Sequence, residues 1–575
     1  MPGFWNRFRE RKIAQWTLGY AAGAWLLREV VGEVGPAWGL SDAALRGLDV
    51  ALLVGVLVTL LLAWQHGDRG RQRAGPGEIA LLLLLLVGGL LGVRAAVRAT
   101  GPALTADTAF DPLDAVEPYH ASIAVLPFRG VGGTDETYFK EGLAEEPINV
   151  LGRVPTLKVA ARGSSFGFRG DVDPRVVADS LSVAHVLEGS VRRAGGRVRV
   201  SITLVDASTG LSVWSESFDV ELDDVFALQD SIARAIAGRL EVAFARDVDA
   251  RRGNVGSEAA ELYMLGMEAW HRRTEAELLR SRDLFAEAAR IEPEMARAFA
   301  GLALAYAVLP QYSSAVRTDT AVARALAAAA RAEALDPSLP EPHAARCQIA
   351  VFYQHDWDEG TRACRAAIRL RPGYATAFHW YSELLMALGR LDEAEVSVER
   401  ALALDPLAPL SHHHRAVLWE LQGDPEAAIR KNLSNLRRYP DFGHGRFLYP
   451  VLLFGVGRYE EAADFVSAND GRFLPGGFVT DTATFRAFAR GAATGDEEAA
   501  SAAAGALLAD IPDGRLRTLM ALTYLSLAGD LERLWRLLDE VNELPDPVAL
   551  RLSALRLLRS DPRFPALLRR YGLDS

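Results

Sequence analysis

Two cysteines, Cys347 and Cys364, are the only thiols among the 575 residues. Two thiols cannot hold a zinc ion alone and no C-x-x-C occurs; the pair reads either as a disulfide with one another or as two small buried thiols filling a helix crossing. Other groups invite catalytic readings and fail them on spacing. Gly130-Val-Gly-Gly-Thr134 lies between an apolar run and a helical pattern, where a phosphate loop would sit. It lacks the Gly-Lys-Ser/Thr ending, and no acidic residue is spaced for ribose or magnesium, so it reads as a turn. Glu145 and Glu146 are helix neighbours that point different ways, which is the pattern of a solvated face and not of an acid/base pair. Ser164-Ser165 has no G-x-S-x-G context. His185 opens a strand and reads as structural. His412-His413-His414 suggests a metal, but adjacent residues on a helix cannot converge on one ion, so the triplet reads as an exposed helix start. The sequence therefore predicts no enzyme, no catalytic residue, no cofactor and no metal site.

Apolar residues make up 50% and charged residues 24%, which is globular composition. The length requires several domains. Residues 1–98 hold 11 Lys/Arg and 7 Asp/Glu, net +4, which leaves −15 for the remainder of a chain at −11. So acidic a remainder argues against nucleic acid, whose binding draws on cationic contacts to phosphate.

Residues 1–98 read as a membrane anchor with three transmembrane helices. Val50–Trp64 and Ile79–Val93 are uncharged apolar runs, a little short of a bilayer span until small flanks are added. Ile13–Val34 is weaker, because Arg28, Glu29 and Glu33 follow its apolar core; alone it would lie in the interface. Arg7, Arg9, Arg11 and Lys12 precede it, and Arg69, Arg71 and Arg73 separate the next two runs. Both basic clusters belong on the cytoplasmic side if all three segments cross. That topology implies a lipid-bilayer partner through residues 13–98 and an inner-membrane protein whose residues after about 98 lie in the periplasm. Trp16, Trp25, Trp38 and Trp64 read as interfacial anchors. Residues 99–118, rich in Pro, Asp and Thr without periodicity, read as a linker.

Residues 119–247 read as one α/β (α+β) unit. Ser122–Phe128 and Leu157–Ala160 are short apolar runs, hence buried strands. Asp135–Leu151 has helical spacing. Asp173 followed by Pro174 marks a helix start. Ala184–Arg193 and Arg197–Asp206 alternate around Ala194-Gly195-Gly196, a hairpin signal, and Leu211–Val220 alternates again. Asp224–Ala245 is amphipathic. The ordered motifs SIAVLPF, ETYFKEGLAEE, VAARGSSFGFRG, HVLEGSVRRAGGRVRVSITLVDASTGLSVWSESFD and DVFALQDSIA resemble the TolB-like (TolB-N-like) amino-terminal domain, related to the FlgO type. The resemblance implies a bacterial, membrane-anchored family in which this domain precedes a helical repeat array and is not known for catalysis. Some relatives add a nucleotide cyclase or winged helix on the cytoplasmic side. Neither precedes the first apolar segment here, where twelve residues stand, and the TolB propeller is absent. The family's Ile in GL-x-EE-I-x-N is Pro147 here, which should kink or shorten that helix.

Pro337, Pro372, Pro406 and Pro440 are spaced by 35, 34 and 34 residues, with Pro293 a further 44 before them. A 34-residue period ending in proline is the tetratricopeptide (TPR) signature, predicting an all-α solenoid over 258–480. The first unit has a lengthened turn at Arg272–Glu275 and the second an insertion at Pro310–Thr320. Residues 481–575 lose the periodic proline and read as degenerate TPR-like hairpins and a cap. Tyr306, Trp380, Tyr381 and Trp419 fall on first helices, where they could line a peptide groove or belong to the core. Counting back from Pro372 puts Cys347 at position 7 or 8 of the first helix and Cys364 at position 24 of the second. Those positions face each other across one hairpin, and a periplasmic site would permit the bridge.

The expected function is a non-enzymatic, inner-membrane-anchored TPR scaffold that binds a protein or peptide on its concave face. The alternative is a transmembrane signalling regulator working through a separate cytoplasmic output protein. An enzyme in the α/β unit stands third.

Overall fold

The computed structural model describes residue 119 and residues 121–573, except 132–136, 195, 222–224, 241–256, 314, 475–478, 512–514 and 541–545. It begins with β1 (Ala121–Val125), a short β2 (Arg129–Gly130), α1 (Thr137–Leu151), β3 (Leu157–Val159) and α2 (Arg162–Ser165). Then come α3 (Pro174–Leu181), β4 (His185–Ala194), β5 (Arg197–Asp206), β6 (Leu211–Glu221) and α4 (Val225–Arg239). The strands form one mixed sheet in the order β3-β1-β4-β5-β6, with β2 beside β4. β1 runs parallel to β3 and β4, while β4, β5 and β6 are antiparallel. Alternation decides the faces. On β5, Val198, Val200 and Ile202 are buried between exposed or half-buried neighbours, and Leu204 with Val205 closes the strand. α1 and α4 cover that face; Val177, Ala178 and Leu181 of α3 cover the other. Asp173 caps α3, its carboxylate accepting from the Arg175 N–H at 2.9 Å. The chain does not stop at Pro147: α1 runs through it, with the ring buried. Only the bond from its missing N–H is lost, and packing on both sides holds the helix together.

Among the described residues, eight helical hairpins follow. They pair α5 (Ser257–Arg272) with α6 (Glu275–Ile291), α7 (Ala296–Val308) with α8 (Thr318–Leu335), α9 (Glu341–Ile349) with α10 (Trp357–Leu370), and α11 (Ala375–Ala387) with α12 (Leu391–Leu404). Next are α13 (Pro409–Leu421) with α14 (Pro425–Arg438), α15 (Gly443–Gly455) with α16 (Tyr459–Ala468), α17 (Thr482–Thr494) with α18 (Glu497–Ala509), and α19 (Arg515–Ala528) with α20 (Leu531–Glu540). A terminal segment carries α21 (Arg556–Ser560) and α22 (Phe564–Arg570). The prolines do the punctuating. Glu292, Asp336, Arg371, Asp405 and Tyr439 each precede one, and each leaves helical geometry with φ between −125° and −146°. Inside the hairpins the turn is made at positive φ by Gly389, Gly423 and Gly457. In the first and third hairpins Arg273 and His355 take that conformation instead, at φ 51° each. First helices of successive hairpins touch directly from α5 to α15, and among the described residues no comparable contact joins second helices. The first helices therefore form the tighter, inner layer.

The expected membrane fold class requires correction. The described protein is a mostly helical solenoid with a small sheet, and among the described residues no helix is long and apolar enough to cross a membrane. The longest, α8, has 18 residues and carries Asp319, Arg324, Arg331 and Glu333. Hairpin helices are short; second helices such as α12 bury one stripe, while first helices such as α11 are buried nearly all round between their neighbours. The predicted spans in residues 1–98 lie outside the described residues. The expected inner-membrane localisation, with a periplasmic remainder and a bilayer partner, is corrected with them, since no described helix supports it.

Candidate functional site

Two places gather polar groups away from solvent. The first is the seam where the α/β unit meets the proline turns of the array. α1 places Glu141, Glu145 and Asn149 one turn apart on one stripe, with Glu146 beside them. All three glutamates are buried, so the solvated face expected for Glu145 and Glu146 is in fact an interface. Arg162 on α2 reaches Glu141 at 2.6 Å and Glu145 at 3.1 Å. His271, at the end of α5, meets Glu145 at 2.8 Å, and Arg297 on α7 pairs with Glu146. Arg371, before Pro372, is 4% exposed; it donates to Asn149 Oδ1 at 2.9 Å, pairs with Glu341 at 2.7 Å and lies over the Tyr374 ring.

Main-chain bonds fix the register of this seam. The Ala161 N–H donates to Leu404 O at 2.7 Å, and the Gly373 N–H to Gly152 O at 2.8 Å. Gly373 has to be glycine, because a Cβ there would lie 2.9 Å from the Gly152 Cα. Ser164 bonds Asp405 and accepts from the Leu407 N–H. α5 goes further and puts Ala260 and Met264 into the α/β core. Burial raises the Glu145 pKa, but His271 and Arg162 more than offset this and hold the carboxyl down at about 2. Burial, aided by Arg162, lowers His271 despite its carboxylate partner.

The second place is a histidine cluster on the inner layer. His379 and Glu383 stand one turn apart on α11, and His413 and His414 lie on α13. The His379 and His414 rings stack at 4.1 Å, tilted by only 7°. Both turn Nε2 toward Glu383 Oε1, His414 at 3.0 Å and His379 at 3.8 Å. His413 packs edge-on against Phe442 and His444, and Tyr312 reaches His444 from the α7–α8 connection. Arg273, in the α5–α6 turn, is close enough to act on His379, Glu383 and His444. The two irregular turns of the early repeats thus come back onto the fourth to sixth hairpins. Burial, then the neighbouring imidazoles, holds His379 and His413 well below the usual histidine range. Burial, with His414 and Arg273, brings His444 to about 4.

The groove residues expected from sequence sit mostly in the core. Tyr306, Trp380 and Tyr381 are buried. Tyr306 accepts from Arg324 at 2.9 Å and Tyr381 from Arg365 at 3.0 Å. Trp419 is half-buried under the Arg415 guanidinium. Cys347 and Cys364 face each other across the α9–α10 hairpin, with their sulfurs joined and their Cα atoms 5.1 Å apart.

Residues 119–235, the α/β unit, match the family described as the HilA/YgeH-like transcriptional regulator, second domain. A 253-residue stretch is 35% identical to a Rhizobium meliloti (strain 1021) protein whose name calls it an adenylate cyclase; it covers 43% of each chain. Another 103 residues, 17% of this chain, are 40% identical to the Drosophila melanogaster protein O-mannosyl-transferase Tmtc1, covering 12% of it. The chain thus spans less than half the length of these relatives. Among solved structures, a thermophilic TPR protein of Thermus thermophilus aligns over 34% of this chain and 98% of its own, at 20% identity and a TM-score of 0.29.

Proposed function

We propose that this chain is a non-catalytic scaffold that binds a protein or peptide along its helical array. What supports this is the inner layer, where first helices of successive hairpins lie edge to edge and present side chains from separate repeats on one surface. Phe447 lies one turn beyond His444 on α15 and is only partly buried, against the edge of the core. Val396, on the second helix α12, is 42% exposed and serves as the contrast. A photo-crosslinking residue placed at Phe447 in cells should capture one discrete protein, and one at Val396 should not. Capture at neither, or an equal pattern at both, would sink the proposal.

A second reading is favoured by the family match of the α/β unit and by the cyclase-named relative. Here the α/β unit and array form a regulatory unit whose output lies in another protein, and the TolB-like motifs fit the same picture. Its test is transcript profiling of cells lacking the chain. A compact set of altered genes supports regulation; an unchanged profile removes it.

A further inference from the structure

The polar groups of the inner layer that the scaffold reading leaves unused are His379, Glu383 and His414. We propose that they form a binding site for a divalent transition-metal cation of the zinc class. Each residue offers one ligand atom, and the three atoms lie within 4.8 Å of one another. Around a tetrahedral ion with bonds of about 2.0–2.1 Å, ligand atoms lie roughly 3.3 Å apart. The two separations from Glu383 Oε1, 3.0 Å to His414 and 3.8 Å to His379, bracket that value. Two imidazoles and a carboxylate are a donor set suited to zinc and its neighbours, and a poor one for calcium or magnesium.

Three further observations support the site. His379 and His414 are 7% and 6% exposed, so the rings are held where an ion would be shielded from water. Glu383 Oε2 and His414 Nδ1 are buried without a hydrogen-bond partner, so the carboxylate has a free oxygen and the imidazole an uncommitted nitrogen. An ion held by Glu383 Oε1 and the two Nε2 atoms would also attract the unpartnered Oε2; it would not reach His414 Nδ1 on the far side of the ring. The ligands also come from two hairpins, with His379 and Glu383 at i, i+4 on α11 and His414 on α13. An ion there would tie consecutive first helices together. Two features oppose it. The stacked rings must rotate until their lone pairs converge, and Arg273 competes for Glu383. A water would take the fourth position.

The test uses the full chain without a polyhistidine tag, stripped with EDTA and titrated with zinc chloride by calorimetry. One equivalent should bind and raise the melting temperature. Cobalt should give the visible spectrum of a four- or five-coordinate ion. Glu383→Gln and His414→Ala should each weaken binding by about tenfold or more. His412→Ala, whose ring bonds the Pro406 carbonyl, should leave it unchanged. Melting in EDTA checks that each variant folds, and if His414→Ala does not, Glu383→Gln and His379→Gln carry the test. Absence of a one-equivalent site, or unchanged affinity in the ligand variants, overturns the proposal.

Discussion

The array has two edges, and they are held in different ways. The edge of proline turns carries the α/β unit through buried charge: Glu146 against Arg297 just after Pro293, and Arg371 before Pro372 bonded to Asn149 and Glu341, while Glu145, paired with Arg162 inside the unit, meets His271 at the far end of α5. The opposite edge, where first helices turn into second helices, carries the terminal segment through apolar burial of residues such as Leu550, Leu555 and Leu558 and a few hydrogen bonds. Arg551 donates to Ala387 O at 2.8 Å, the Ser553 N–H to Glu420 at 3.0 Å, and Trp357 Nε1 to Tyr571 O at 2.7 Å. A separately folded unit could dock on a repetitive edge in several registers, one repeat apart. Buried ion pairs penalise every register but one, because a misplaced charge would be left unpaired. A strap at the end of the chain has its register set by its connection and needs no such device.

The largest expected effect follows from that contrast. Arg371→Ala leaves Glu341 without its partner in a buried site. We expect a loss of about 3–5 kcal/mol at the proline edge. Urea denaturation should then resolve the α/β unit from the array as two transitions. A single transition shifted by less than about 1 kcal/mol would mean the seam is held by shape and not by charge.

Acid should act on the α/β seam and spare the terminal strap. The folded pKa of His271 lies below its unfolded value of 6.5, so the folded state binds fewer protons and stability declines as pH falls below 6.5. Glu145 acts in the same sense lower down: its contribution is complete above 4.5 and is lost as pH falls toward about 2. The shift corresponds to about 3 kcal/mol for Glu145. Urea midpoints of the seam measured from pH 7 to pH 3 should fall in both ranges, and Glu145→Gln should remove the lower one. A flat profile contradicts the assignment.

A control of similar size should leave both edges in place. The Cys347–Cys364 bridge lies within one hairpin and closes a separation of 17 residues. Cys364→Ala should lower the stability of the array by about 3 kcal/mol without separating the α/β unit. Denatured, unreduced protein should show no reactive thiol; full labelling of both cysteines would refute the bridge.

What the sequence revealed was whatever repeats or alternates. The proline period located the hairpin ends, because proline disfavours helical geometry in the residue before it; Ala194-Gly195-Gly196 located the β4–β5 turn. The cysteines could be placed because both lie within one repeat. The seam was not legible, since pairing Arg371 with Asn149 joins residues 222 apart and nothing local announces it. Glu145 and Glu146 looked like a solvated face because local pattern cannot tell water from a docking partner. The histidine cluster was half legible. The argument that His412, His413 and His414 diverge is sound for neighbours on one helix. It overlooked that His379 and His414 are 35 residues apart, within one residue of the 34-residue period, and that residues about one period apart on first helices meet. Arg273 and Tyr312 sit in the turn and insertion that break the period, and their return to the cluster depends on how the array coils.

The smallest expected effect belongs to the strap. Trp357 donates its indole N–H to the Tyr571 carbonyl at 2.7 Å, and its ring lies against Gly572. Trp357→Phe keeps most of the apolar contact and removes only the donor. The bond is neutral and only partly buried, so water can reach the carbonyl left behind, and the loss should be about 1 kcal/mol. It should also be local. Amide exchange should quicken around Phe564–Leu573, while the seam and the inner layer keep their protection. Global destabilisation as large as that of Arg371→Ala would mean the strap, and not the ionic edge, sets the stability of the array.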